Sequence, residues 1–311
     1  MSQPLNGSNT RPPRVLVVGA TGQLGRKIAR ELVGARRSVV RVTYREGTNT
    51  GAVEALREAG AELVAADLSD AASLARACHE VDVVVSAVQG LRDVIVDGQT
   101  RLLRAAEEAH VARMIPSDYA LDFFKTDDGR NRNLDLRREL GRVLEQSPVR
   151  GTSLLCGAFM DLFAYGAMGP DRRTGVFRVW GDVDQVADFT LTDDVARYVA
   201  AVALDRQAPR VVRVAGDTRS AREIAAMFEE LSGKPVKLQS AGSLEVLDRT
   251  IERLRAEDPA ETNPFPMWQR LQYARDMQSG RGRLSPLDNA RYPSVQPVDL
   301  RTLLGRAFTR R

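Results

Sequence analysis

Lysine is nearly missing from this 311-residue chain. Of its 45 basic residues only Lys27, Lys125, Lys234 and Lys237 are lysine, and all the others are arginine. A reaction that needs an amine to lose and regain a proton has few residues to draw on. Cysteine is as scarce, with Cys78 and Cys156 alone; that excludes a disulfide framework and points to a reducing, cytoplasmic setting. The only histidines, His79 and His110, lie apart near predicted helix ends, so no metal site is expected. No apolar run approaches the roughly 18 residues of a membrane span. The opening MSQPLNGSNTRPP lacks the apolar core of a signal peptide and reads as a flexible tail over residues 1–13. The net charge is +4, and 41 acidic residues are interspersed with the arginines. That pattern predicts a salt-bridged surface, with neither a nucleic-acid nor a membrane partner.

What is there is an ordinary globular balance, 43% hydrophobic and 28% charged, enough for a sizeable core. Short β-branched runs at 15–19, 38–44, 61–66, 81–88, 112–117 and 151–156 alternate with helix-like stretches at 23–34, 51–59, 70–78, 92–110 and 132–146. Near-continuous apolar strands separated by helices indicate a parallel sheet buried on both faces. Right-handed crossovers then give an α/β, doubly wound (Rossmann) fold. We expect this dinucleotide-binding domain over 14–157, with strands from about 185–215 completing its sheet. Residues 158–184 and 216–311 then form a smaller α+β lobe. Within 174–190 two strands joined by a Gly-Asp turn are predicted. A capped helix follows at 191–204, and a second one at 220–233 starts on serine with glutamate three residues later.

Residues 14–25, RVLVVGATGQLG, run from a strand through Gly19, Gly22 and Gly25 into a helix. Gly19 permits the tight turn, Gly22 lets amides approach a diphosphate, and Gly25 allows the helix to close on the strand. The second strand ends in RVTYREG. An acidic residue at its tip would suit the ribose 2′-hydroxyl of NAD(H); Arg45 suits the 2′-phosphate of NADP(H), with Glu46 one position beyond. NADP(H) is therefore the expected cofactor. Asp67 and Leu68 should border the adenine, Asp67 serving alternatively as a helix-start residue. Ser86, Ala87 and Val88 should run beneath the ribose on the nicotinamide side.

Taken together, GATGQLG, AADLSD, IPSDY (115–119), GAFMDLF (157–163) and RYPSVQPVDL (291–300) resemble the atypical short-chain dehydrogenases. That group includes isoflavone and phenylcoumaran benzylic ether reductases and the NmrA-like proteins. The resemblance runs from Val15 to about Phe308. It implies a Rossmann lobe binding NADP(H) and a smaller lobe closing a cleft over the nicotinamide. By matching position, Gly19, Thr21, Gly22, Gln23, Leu24 and Gly25 would contact the diphosphate. Pro116, Ser117, Gly157, Ala158 and Phe159 would border the nicotinamide. The reductase members transfer hydride to aromatic substrates; NmrA-like members bind the dinucleotide as redox-responsive regulators.

The tyrosine–lysine pair of common short-chain dehydrogenases is absent, because Tyr119 is followed four residues on by Phe123. Where the reductases carry a helical lysine, alignment with a two-residue gap places Arg137. Arginine stays charged at accessible pH and so stabilises charge without shuttling protons. Lys125, in the loop DFFKTDDG, would replace the lysine if that loop folded over the site; as a loop residue it would balance Asp127 and Asp128. Tyr119 is the other candidate proton donor. Phe159, Met160, Phe163 and Trp180 offer an aromatic lining for a flat substrate, although Phe159 and Phe163 would serve equally as core. Cys156 is expected in the core. Two functions remain open: an NADPH-dependent reductase of a small aromatic, enone or quinone-like compound, or an NADP(H)-binding redox sensor that acts through a protein partner without turnover.

Overall fold

In the computed structural model, residues 11–48 and 50–309 are described; most of the expected tail, residues 1–10, lies outside them. The first half of the chain alternates strand and helix. β1 (Arg14–Val18), α1 (Gln23–Ala35), β2 (Val39–Tyr44), α2 (Thr50–Glu58), β3 (Glu62–Ala65), α3 (Ala71–Cys78) and β4 (Val83–Ser86) follow one another. A wide π-type turn (Asp93–Gly98) then leads into α4 (Gln99–Glu108), β5 (Arg113–Ile115), α5 (Arg132–Glu145) and β6 (Arg150–Gly151). The strands pair in parallel in the order β3-β2-β1-β4-β5-β6. The order reverses between β1 and β4, where a doubly wound sheet opens a crevice at its carboxyl edge.

Alternation along β1 shows why both faces are covered. Val15 and Val17 pack with Ile28, Leu32 and Val199 on one side, whereas Leu16 and Val18 pack with Leu74, Leu102 and Met114 on the other. Each fully buried aliphatic side chain contributes roughly 1.5–3 kcal/mol.

Just beyond β6 the strand continues as β7 (Ser153–Leu155), then β8 (Ala158–Phe159), the short α6 (Asp161–Ala164), β9 (Val176–Trp180) and β10 (Val186–Thr190). α7 (Thr192–Leu204) and β11 (Val211–Arg213) come next, then β12 (Asp217–Ser220), α8 (Ala221–Ser232) and β13 (Lys237–Gly242). α9 (Leu244–Glu257), α10 (Met267–Gln278) and α11 (Leu300–Thr309) complete the chain. β11 pairs with β7 and so extends the parallel layer. β10 does not join it, contrary to the expected completion of the sheet from 185–215; it pairs with β8 and β12 in a second sheet. Nor do β9 and β10 form the expected hairpin. Gly181, at φ +66°, donates its amide to the Gly242 carbonyl at 2.9 Å, which fixes β9 against β13 instead.

The second core centres on Met160, Phe163, Phe189, Ile224, Phe228, Leu300 and Leu304. α8 begins on the reciprocal Ser220–Glu223 capping box and ends on Gly233 in the left-handed region. α5 begins on Asn131, whose side chain accepts from the Leu134 amide at 3.3 Å. That cap matters for the site, because α5 carries Arg137.

Candidate active site

A single cleft of about 1220 Å³ runs along the carboxyl edge of the parallel sheet, from the tip of β2 past β1 and β4 to β7 and β8. Its size exceeds the roughly 300–1,000 Å³ of an ordinary small-ligand pocket. Gly19, Thr21, Gly22, Gln23 and Leu24 line its floor. Gly19 adopts φ +83°, and a side chain there would lie 2.7 Å from the Ala87 carbonyl oxygen. Gly22 caps α1 without a side chain, and the first turn holds no acidic residue. Amide hydrogens and the positive end of the helix dipole are left for an anion. Gly25 does not line the cleft. A Cβ on it would sit 2.1 Å from the Gly19 carbonyl oxygen, so its place is between helix and loop.

At the β2 end Arg45 lines the cleft, makes no salt bridge among the described residues, and has Glu46 outside the lining beside it. Asp67 and Leu68 border the same end. The Ser69 hydroxyl and amide donate to the Asp67 carboxylate at 2.6 and 2.8 Å and hold it below its ordinary pKa, with Arg45 and Arg101 adding in the same sense. Asp70, not Asp67, caps α3 through the Ala72 amide. Arg101 donates through Nε to the Leu68 carbonyl at 2.7 Å and lines this end too.

In mid-cleft, Ala87 and Val88 form part of the wall, but Ser86 does not. It is fully buried, and its carbonyl accepts the Tyr119 hydroxyl at 2.9 Å. That bond corrects the reading of Tyr119 as a proton donor: the ring borders the cleft while the hydroxyl is committed to the backbone, and burial pushes its pKa far up. Ser117 lines the cleft; its amide donates to Gln99 Oε1 at 3.0 Å and its hydroxyl to the Val88 carbonyl at 2.7 Å. Pro116, expected beside it, is buried behind and outside the lining.

Gly157, Ala158, Phe159 and Arg137 also line the cleft. Arg137 donates through Nη1 to the Asn133 carbonyl, one turn earlier on α5, at 2.7 Å, and its buried Nε has no partner. Lys125 is not here. Its Nζ donates to the Arg283 and Ser285 carbonyls at 3.1 and 2.6 Å and pairs with Asp122 at 3.3 Å, which pins the loop against residues 283–285, away from the cleft. Met160 and Phe163 also lie outside. Phe163 meets Phe189 edge-on at 5.2 Å within the second core, because α6 turns its apolar side inward. Trp180 lies over Gly242 in the β9–β13 pair, likewise outside the lining. Cys156 is buried, and burial raises its thiol pKa.

The roof is α10. Met267, Leu271, Ala274 and Met277 lie along its cleft side with Tyr273 and Arg270, and Phe265 precedes them. Its buried side is polar: Trp268 apart, Gln269, Gln272, Arg275 and Asp276 face inward. Gln269 donates to Asn131 at 2.8 Å, Asn131 donates to Asp276 at 2.8 Å, and Gln272 accepts from the Arg132 amide at 3.1 Å. Hydrogen bonds to the start of α5 thus hold the roof, and its apolar side is left for the cleft.

Residues 12–295 match the NmrA-like family. This chain belongs to that family. Among its relatives is the bifunctional pinoresinol-lariciresinol reductase of Linum perenne, 30% identical over 251 residues, with 73% of this chain and 77% of that protein covered. Two solved structures share the fold of this chain. One is AtPrR2 with NADP+ and (+)pinoresinol, at 22% identity and TM-score 0.79, covering 96% of this chain and 99% of the other. The second is the leucoanthocyanidin reductase–NADPH complex of Vitis vinifera, at 20% identity and TM-score 0.79, covering 95% and 99%.

Sequence reasoning missed the roof of this NmrA-like cleft, together with Arg101. The signal was present: apolar residues at 267, 271, 274 and 277 repeat at helical spacing. An apolar stripe ordinarily marks the core side of a helix, and here it marks the ligand side.

Proposed function

We propose that this chain is an NADPH-dependent reductase of a small aromatic, enone or quinone-like compound. One observation carries the reading: a continuous cleft joins the α1 amides and the guanidinium of Arg45, which makes no salt bridge among the described residues, at one end to a second guanidinium, Arg137, under an apolar roof at the other. The reductase relatives and the NADP(H)-bound neighbours support it. The floor fits the phosphates, since Gly22 bears no side chain and the first turn of α1 bears no carboxylate to repel them. Bound NADPH would supply a hydride to the substrate.

This chain's own residues do the rest. Gly22, Gln23 and Leu24 would hold the diphosphate, Arg45 the 2′-phosphate, and Asp67 and Leu68 the adenine surroundings. Gly157, Ala158 and Phe159 would shape the nicotinamide end, and Arg137 would stabilise negative charge on the substrate oxygen. No side chain in this account shuttles a proton, which restricts the substrate to easily reduced conjugated compounds whose proton comes from water. The reading divides the chain into the dinucleotide lobe of 14–157 with β11, and a smaller lobe from the remainder. Two buried, unpaired cysteines suit a cytoplasmic location.

Arginine at the lysine position also favours a second reading, a redox sensor without turnover. Following NADPH absorbance against a panel of quinones and enones decides between them. Turnover well above the uncatalysed rate supports the reductase; tight NADPH binding with no turnover against any member overturns it in favour of the sensor.

A further inference from the structure

Gln99, at the start of α4, is fully buried and lines no part of the cleft, yet it is bonded to a residue that does. Its Oε1 accepts the Ser117 amide at 3.0 Å, and its Nε2 donates to the Ile95 carbonyl at 2.9 Å. The π-type turn before it sets this arrangement. The Gln99 amide donates to the Val94 and Val96 carbonyls, five and three residues back. The Ile95 carbonyl, four residues back and the usual partner in an α-helix, takes the Gln99 side chain instead. Such local widenings recur at functional sites.

Ser117 is thereby held at both of its donors. Its hydroxyl donates to the Val88 carbonyl at 2.7 Å, which ties the tip of β5 to the tip of β4. Val88 in turn packs on the buried cluster of Ile95, Val96 and Leu136. Bonds and contacts close a ring from Ser117 through Gln99 and the turn to Val88 and back. Val88, Val94 and Ser117 carry that ring to the cleft wall. With its proton given to Val88, the Ser117 hydroxyl keeps only acceptor capacity.

We propose that Gln99 is a positioning residue for the nicotinamide half of the bound dinucleotide. It fixes Ser117 so that the serine oxygen accepts from a donor on that half, a ribose hydroxyl or the carboxamide amine. Without Gln99 the buried Ser117 amide is unpaired and the serine is free to turn. The adenine and the 2′-phosphate meet other residues and are unaffected. This rests on the reductase reading for the ligand of the cleft, and it is tested by binding, without turnover.

The probes are NADPH and adenosine 2′,5′-bisphosphate, which has the adenine and the 2′-phosphate but no nicotinamide half. Dissociation constants for both are measured on the full chain. Gln99→Met, which removes both side-chain bonds at similar volume, should weaken NADPH by on the order of tenfold and leave the bisphosphate unchanged. Ser117→Ala should show the same selective loss. Gln99→Glu, which keeps an oxygen for the Ser117 amide, should recover part of the affinity. The 3-acetylpyridine analogue of NADP+ lacks the amine and separates the two donors. A Ser117→Ala loss that persists with the analogue assigns the ribose, and one seen with NADP+ alone assigns the carboxamide. Equal weakening of NADPH and the bisphosphate in Gln99→Met marks a structural residue and overturns the inference. Unchanged NADPH affinity in Ser117→Ala overturns it too, whether or not Gln99→Met folds. Wild-type protein that binds neither probe counts against the cofactor reading itself.

Discussion

Gly25 lies so close to Gly19 that a methyl group on Gly25 would stand 2.1 Å from the Gly19 carbonyl oxygen and 2.7 Å from its carbon. The first turn of α1 can close on the nucleotide loop only because that position is bare. Both obstructing atoms are backbone, so neither moves without displacing the loop. Gly25→Ala is expected to lose NADPH binding and to destabilise the fold by roughly 1–3 kcal/mol or more. Gly34, on the same helix, has nothing within 4 Å of an added Cβ. Gly34→Ala should stabilise by roughly 0.5–1 kcal/mol and leave NADPH binding alone. Denaturant melts and a fluorescence titration check the pair.

Arg45 is the residue on which cofactor choice turns. Its guanidinium borders the cleft while Glu46 does not. Arg45→Ala should weaken NADPH by about tenfold to a hundredfold, the loss of a charge-assisted contact, and leave NADH unchanged. Dissociation constants for both nucleotides measure this; an unaltered ratio refutes the role.

Tyr119 and Lys125 separate stability from chemistry. Removing the Tyr119 hydroxyl strands the Ser86 carbonyl, so Tyr119→Phe should cost about 1–2 kcal/mol without loss of turnover. Lys125→Ala should act the same way, through the carbonyls it holds at 283 and 285. A steep fall in kcat with unchanged melting in either variant would contradict the assignment.

Arg137 is expected to work by charge alone. Arg137→Lys should therefore keep much of the turnover, and Arg137→Gln should lose on the order of a hundredfold. Steady-state rates at saturating NADPH report the difference. Equal losses in both variants would mean that guanidinium geometry, not charge, is required.

Asp118 sets a pH dependence. Burial raises its carboxyl pKa, while the Ser153 hydroxyl and the charges of Arg137 and Arg210 pull the other way without cancelling it. Between the ordinary carboxylate range and that raised value, the folded chain holds a proton that the unfolded chain has released. Stability therefore falls as pH rises through this window. Asp118→Asn removes the effect, so wild type should lose stability relative to the variant as pH rises. Denaturation across a pH series shows it; parallel curves would refute it.

The parallel layer was legible because β-branched runs at 15–19 and 81–88 carry their own period and must be covered on both faces. The nucleotide loop was legible for another reason: Gly19 and Gly25 answer to backbone sterics, which the sequence displays directly. The pairing of β9 and β10 was not, since strands of similar length close in sequence look like a hairpin until β13, some sixty residues away, takes the first of them. Met160 and Phe163 misled because an apolar residue next to the cleft and one under it have the same composition. Lys125 misled because, Asp122 apart, its partners are backbone carbonyls from 283 and 285, which leave no trace in residue type. The apolar spacing of α10 was present in the sequence, but which side of the helix faces the cleft showed only once α5 was seen bonded to α10.

The fastening of α10 has a consequence for how such a protein diversifies. Asn131, Gln269, Gln272 and Asp276 keep the helix in place, whereas positions 267, 271 and 274 line the cleft, and Met277 lines it while also packing on the second core. Replacing positions 267, 271 and 274 reshapes the admissible ligand at little thermodynamic cost, and altering the first set loosens the cover without teaching it a new shape. Selectivity and durability are thus written on opposite sides of one helix, and each is open to change while the other stands still.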